Sequence, residues 1–196
     1  MKNLSTLFFL IYFYSAIHPL NAQVNQSPIY DRAEHQLTNT DTIPDYRSKT
    51  NKLKLTGTIY QSDGITPAKD VILFIEQPNE DGDFELRNEG DSRYVLHRSW
   101  VKTDADGRFT FYTFVPGNDR RYNQLQQIFP LIKEASHQEY KLETFLFDND
   151  PLLTKRCRKR ISKKSDTSRI LKLKKEEEIL VAQKDIVLAS NTTKTK

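Results

Sequence analysis

Side chains able to hold a metal or move a proton are sparse in this chain. Its four histidines are His18, His35, His97 and His137, and no two are a single residue apart. A His-x-His strand pair, which would set two imidazoles on one face of a sheet, is therefore absent from the sequence. Asp104-Ala105-Asp106-Gly107 has the acidic spacing of a calcium loop, but Lys102 and Thr113 stand where that loop needs carboxylate oxygen donors. The segment reads instead as a tight turn. His97, followed by Arg98, reads as a surface or hydrogen-bonded histidine. Cys157 is the only cysteine, so no intrachain disulfide can form. Between Arg156 and Arg158 it would favour a thiolate if exposed; the reading adopted is a partly buried, unreactive thiol. No nucleophile elbow, phosphate-binding loop or Cys-x-x-Cys pair occurs.

The elements that would position these residues are short strands. Leu53, Leu55, Gly57 and Ile59 alternate with Lys54, Thr56, Thr58 and Tyr60, the period of a half-buried strand. Val71 to Ile75 is apolar on both faces, which places it in the interior. Arg108 to Phe114, Ile128 to Lys133 and Leu142 to Phe147 follow as further strands. Ile170 to Leu173 and Ile179 to Ala182 flank Lys174-Lys175-Glu176-Glu177-Glu178, read as a hairpin with a charged tip against the rival of a short Lys–Glu-paired helix. Asp185 to Leu188 closes the series. The reading is one all-β domain, an antiparallel β-sandwich over residues 53–191, with Trp100, Phe109, Phe111 and several of Val71, Leu73 and Ile75 in its core. Residues 23–52 are polar and aperiodic and read as an arm over the domain or a linker; residues 192–196 read as a flexible tail.

Four segments together resemble the intradiol ring-cleavage dioxygenases, in particular their exported bacterial relatives. They are LTGTIYQSDGITPAKDVILFI (Leu55 to Ile75), WVKTDADGRFTFYTFVPG (Trp100 to Gly117), FLFDNDPLLTKR (Phe145 to Arg156) and LVAQKDIVLASN (Leu180 to Asn191). The first two alone would also suit transthyretin-like accessory domains; the last two favour the dioxygenases. The resemblance implies a β-sandwich holding Fe(III) between two tyrosines and two histidines, with an arginine beside the site, and cleavage of a catechol ring by O₂. Hard phenolate oxygens suit Fe(III), and imidazoles complete the set. Carried over position by position, the tyrosines fall on Phe84 and Asp119, the arginine on Tyr122, and the histidines on Gln127 and Phe129. A Tyr-His pair found in some exported relatives reads Glu76-Gln77 here. No catalytic residue is intact on this reading, and no cofactor or metal is expected. Asp119, Tyr122 and His137 are the remaining route to a metal if the loop folds back. Phe84, Tyr122 and Phe129 would line a pocket for a small aromatic ligand.

The net charge of +4 hides an asymmetry. Acidic residues outnumber basic ones from Gln23 to Thr154, and the balance reverses from Lys155 onward. Lys155, Arg156, Arg158, Lys159 and Arg160 read as a solvated face or loop, with an acidic envelope surface as the partner such a run would suit. Nucleic acid is not expected, since no aromatic residues interleave for base stacking. Residues 1–22 read as a signal peptide: Lys2, an apolar run from Leu7 to Ile17, and a small-residue cut after Ala22. Export to the periplasm or medium follows from that. The functional expectation is an exported dioxygenase-like module without catalysis, acting in binding or structure. The alternatives are an active Fe(III) catechol dioxygenase with an altered site, and a transthyretin-like envelope domain.

Overall fold

A computed structural model describes residues 27–90, 92–135, 137–164 and 166–190. The signal-peptide reading of residues 1–22 and the tail reading of 192–196 lie outside the described residues. Among the described residues fourteen strands run in chain order. The first seven are β1 (Thr40–Thr42), β2 (Lys52–Tyr60), β3 (Ile72–Glu76), β4 (Leu86–Glu89), β5 (Ser92–Val95), β6 (Arg98–Lys102) and β7 (Arg108–Phe114). The rest are β8 (Gln127–Lys133), β9 (Tyr140–Lys141), β10 (Phe145–Phe147), β11 (Ile170–Leu171), β12 (Lys174–Glu176), β13 (Ile179–Gln183) and β14 (Ile186–Val187). One α-helix among the described residues, α1 (Lys155–Lys164), stands between them. No helix among the described residues is long and apolar enough to cross a membrane.

Two six-stranded sheets face one another. The first has the order β1-β7-β2-β13-β12, with β14 also on β2; the second has β11-β10-β8-β3-β6, with β9 also on β8. β4 and β5 form a separate hairpin. Alternation in β2 buries Leu53, Leu55 and Ile59, and β7 sends Phe109 and Phe111 to the same inner layer. From the second sheet Leu73, Ile75, Val101, Ile128 and Ile132 meet them.

The sandwich differs from a purely antiparallel one. β1–β7, β10–β11, β13–β2 and β14–β2 are parallel pairs, because their partners arrive from distant parts of the chain rather than by hairpins. Gly57 makes the last of these arrangements possible. A Cβ there would lie 1.9 Å from the Lys184 carbonyl oxygen, where the chain passes from β13 to β14 along the edge of β2.

β3 is covered on both faces. Its inner residues enter the sandwich, and its outer residues Ile72 and Phe74 lie with Trp100 beneath Ile29 and Leu37 of the N-terminal arm. Trp100 therefore belongs to this second apolar layer, not to the layer between the sheets. The Trp100 indole N–H donates to the Pro28 carbonyl at 3.0 Å. The basic run from Lys155 is helical, which its charge pattern does not suggest. Cys157 and Ile161 are half-buried on one side and Arg158 is tied to Asp148, leaving the other cations on the solvated side. At the charged hairpin tip between β12 and β13, Glu177 takes a left-handed φ of 53°, and the strand pairing there supports the hairpin over the helix.

Phe111 is fully buried between the sheets. Replacing it with alanine is expected to lower the unfolding free energy by about 3–5 kcal/mol, as read by urea denaturation.

Candidate functional site

The outer face of the second sheet carries the candidate site, and strand register sets its layout. Arg98, Glu76 and Phe129 form one row across β6, β3 and β8. Trp100, Phe74, Leu131 and Lys141 form the next row, ending on β9. Rows two residues apart share a face, so Gln127 and Phe129 both point outward while Ile128 and Ile132 enter the core. The arm closes one end of this face. What remains is a cleft of about 460 Å³, bounded by Pro28, Phe129, Leu131, Tyr140, Leu142 and Thr144 among others. Glu76 and Lys141 also line it.

Phe84 and Phe129 come together, with ring centroids 5.5 Å apart. Tyr122 does not join them. It is 74% exposed, with the Arg121 guanidinium 5.8 Å from its ring centre. The expected three-ring pocket is thus corrected: Phe129 lines the cleft, Phe84 packs against it, and Tyr122 stands outside. The cause is the loop from Asp119 to Gln124. Its ends exchange backbone hydrogen bonds of 3.0 and 2.8 Å, and Asn123 turns at φ 53°, so the loop's middle projects into solvent.

Asp119 is a buried loop-former. Its Oδ1 accepts from the Arg121 backbone N–H at 2.8 Å and from Nε at 3.1 Å, and Oδ2 accepts from Nη2 at 3.0 Å. The hydrogen bonds and charge of Arg121 hold its carboxyl below the usual carboxylate range. Gln127 sits in register with Leu146 at the start of β8. His137 stands 3.6 Å from the Glu134 carboxylate. Among the described residues no group of three or more His, Cys, Asp or Glu is placed to hold a metal ion. Of the three residues of the alternative route, Asp119 is bonded by Arg121, Tyr122 turns to solvent and His137 stands beside Glu134.

The residues present do not fit the ferric ion that the resemblance implies. Two of the positions carry phenyl rings that touch each other and have no donor atom. The third is a carboxylate already saturated by Arg121, and the fourth offers a neutral amide oxygen.

Glu76 and Gln77 occupy opposite environments at the end of β3. Gln77 is fully buried, donates through Nε2 to the Phe114 carbonyl at 3.0 Å, and accepts from Thr113 Oγ1 at 2.7 Å. Glu76 faces the cleft, where burial pushes its carboxyl up and the charges of Lys141 and Arg98 pull it back. The sequence marks Glu76 only as a substituted position, and Lys141 carries no signal there at all.

His97 is neither at the surface nor hydrogen-bonded. It is 0% exposed, and neither ring nitrogen has a hydrogen-bond partner among the described residues. Its backbone carbonyl, pinned by the Gln77 N–H at 3.0 Å, turns the ring inward against Phe114, edge to face at 5.0 Å. The Glu85 carboxylate lies 4.0 Å from Nε2. Burial, helped by Lys49, pushes the imidazole pKa down, against the opposing charges of Glu85, Asp45 and Glu80.

No sequence-family profile matches the chain, and no curated protein matches it. Solved structures do. The dioxygenase domain of a dioxygenase–carbohydrate-binding fusion from Streptomyces sp. SirexAA-E aligns with a TM-score of 0.56 at 18% identity, covering 83% of this chain and 98% of that one. An intradiol ring-cleavage dioxygenase from Tetranychus urticae aligns at 0.55 and 16%, over 77% of this chain and 85% of the other. Catechol 1,2-dioxygenase from Acinetobacter sp. ADP1 aligns at 0.56 and 14%, over 78% of this chain. This chain spans only 57% of the length of that enzyme. The fold is the β-sandwich of the intradiol dioxygenases.

The depressed His97 pKa has a definite sign for stability. Below the unfolded-state value near about 6.5 the unfolded chain takes up a proton that the folded chain refuses. Stability is thus expected to fall with pH below about 6.5, by at most about 1.4 kcal/mol per pH unit from this group, until the folded pKa is reached. Urea denaturation of the protein and of His97→Leu, at about pH 7.5 and about pH 5.5, checks this. The variant is expected to lose less stability across that interval.

Proposed function

We propose that this chain is an exported small-ligand-binding module on the intradiol dioxygenase fold, and that it carries out no ferric ring cleavage. The observation that carries the reading is the ring-to-ring contact of Phe84 and Phe129. On the resemblance these positions would supply a phenolate and an imidazole, and here they supply a hydrocarbon contact instead. The engagement of Asp119 by Arg121 supports it further, because freeing that carboxylate for a metal would break its bonds to the Arg121 backbone N–H and guanidinium. Binding is supported by the cleft beside Phe129, whose volume and largely apolar walls suit a small organic guest. The solved relatives include catechol 1,2-dioxygenases; in this reading catechol turnover is the property lost and the scaffold the property kept.

The full chain is expected to purify without stoichiometric iron, to show no tyrosinate-to-iron colour, and to consume no O₂ with catechol. Iron analysis after reconstitution with ferric salt, paired with an oxygen electrode, decides this. One tightly held iron per chain together with ring cleavage overturns the reading. Export has its own check. N-terminal sequencing of protein recovered from outside the cytoplasm is expected to begin near Gln23, and recovery of Met1 from membranes would oppose cleavage.

A further inference from the structure

The cleft holds two opposite charges that other groups have left unbonded. Glu76 lies on its floor at the end of β3, and no described residue donates a hydrogen bond to its carboxylate. Lys141 lies at the far wall on β9, and no described residue forms an ion pair with it. The other charges nearby are already engaged. Arg98 pairs with Asp31 and stacks on Tyr94 at 3.9 Å and Trp100 at 5.0 Å; Glu139 accepts from the Tyr30 hydroxyl at 2.8 Å.

Register explains why Glu76 and Lys141 sense each other without touching. β8 lies between their strands, and Lys141 is opposite Leu131, two residues beyond Phe129, which is opposite Glu76. Two strand spacings across and two residues along put their Cα atoms about 12 Å apart. Their side chains can lean toward one another, but they do not close to an ion pair. Apolar surface fills the interval, from Phe129, Leu131, Phe74 and Pro28.

A half-buried carboxylate and an exposed ammonium that makes no ion pair, both lining one apolar cleft, suit complementary charges on one molecule. A simple amine would satisfy Glu76 and be repelled by Lys141, and a simple acid would do the reverse. A neutral aromatic would leave the half-buried Glu76 carboxylate uncompensated. A zwitterion with an apolar body satisfies all three demands.

We propose that the cleft binds a free α-amino acid with a large apolar side chain, its ammonium on Glu76, its carboxylate on Lys141 and its side chain against Phe129 and Leu131. This rests on reading the chain as a binding module. Burial of the Glu76 carboxyl supports it, since a ligand ammonium would relieve the cost of ionisation there.

Calorimetric titration of the full chain with L-phenylalanine, phenethylamine, 3-phenylpropionate, glycine and catechol tests the inference. Phenylalanine is expected to bind at one site, and each analogue lacking one of the three features about tenfold or more weaker. Glu76→Gln and Lys141→Met are each expected to weaken phenylalanine about tenfold while keeping the thermal midpoint, because both side chains lie outside the core. Lys141→Met should also bring phenethylamine level with phenylalanine, a change that a general loss of fold would not produce. No saturable binding of phenylalanine, or equal binding of phenylpropionate or catechol by an iron-free protein, overturns this inference and leaves the absence of iron chemistry standing. Iron uptake with catechol cleavage overturns the module reading itself.

Discussion

Asp41 fastens the two sheets at their open edge. Its Oδ2 accepts from Ser99 Oγ at 2.6 Å, from the Trp100 N–H at 3.0 Å and from Arg32 at 2.8 Å. Asp41 belongs to β1 of the first sheet, whereas Ser99 and Trp100 belong to β6, the outermost strand of the second. One carboxylate oxygen therefore spans the gap between layers and also satisfies a backbone donor at an exposed strand edge. The arm preceding β1 is then obliged to run along the outer face of β6 and β3. There Ile29 and Leu37 cover Phe74 and Trp100, and Pro28 receives the indole proton. The cleft exists because the arm covers only part of that face.

This arrangement separates the fold from the chemistry of the outer face. The layer between the sheets is built from Leu53, Phe109, Phe111, Ile128 and their neighbours, and none of these is a position where a metal ligand would be sought. Gln127 and Phe129 alternate with Ile128 and Pro130 on β8, so exchange of their side chains leaves the inner surface of that strand unchanged. Donor atoms can therefore be replaced by hydrocarbon at little cost to the core. Phe84 and Phe129 pack against each other, a contact that hydrocarbon side chains at these two positions allow. Gly117 keeps the neighbouring crossing tight. A Cβ there would stand 2.3 Å from the Glu80 carbonyl and 2.5 Å from the Gly82 nitrogen, so the segment bearing Phe84 stays close to the loop bearing Asp119.

What could be read from residues alone follows from local period. β2 alternates without a fault, β3 is apolar from Ile72 to Ile75, and Asp104 Oδ1 caps its own turn by accepting from Asp106 and Arg108. The parallel pairing of β1, β13 and β14 could not be read, because partners far apart in sequence leave no local mark. The β4–β5 hairpin is almost wholly exposed and offers no apolar alternation to find. Helix α1 was hidden for an electrostatic reason. Lys155–Lys159, Arg156–Arg160 and Lys159–Lys163 are like-charge i,i+4 pairs that weaken an isolated helix. Tertiary contacts outweigh them here: Thr154 Oγ1 accepts from the Cys157 N–H at 3.2 Å, and Arg158 reaches the Asp148 side chain and the Leu153 carbonyl. In the site, the contact of Phe84 with Phe129 was accessible through the resemblance. The exclusion of Tyr122 was not, since it depends on the Asp119–Gln124 closure.

The end of β3 shows how adjacent residues can face opposite energetic demands. Gln77 points inward and has both ends of its amide bonded, to Phe114 and Thr113, so its burial is compensated within the fold. Glu76, one residue earlier, points outward into apolar surroundings with opposite charges at a distance and no hydrogen bond from a described residue. A carboxylate serving only the fold would be expected to be bonded as Asp41 and Asp119 are, each by several donors. A surface carboxylate would be expected to have water on all sides. Glu76 has neither arrangement, so its ionised form carries a desolvation cost that no contact within the fold repays in full. That residual cost, together with the cleft that Glu76 lines, supports the proposal of binding on this face: a ligand that brings an ammonium would recover free energy there that solvent-exposed carboxylates elsewhere on the surface do not offer.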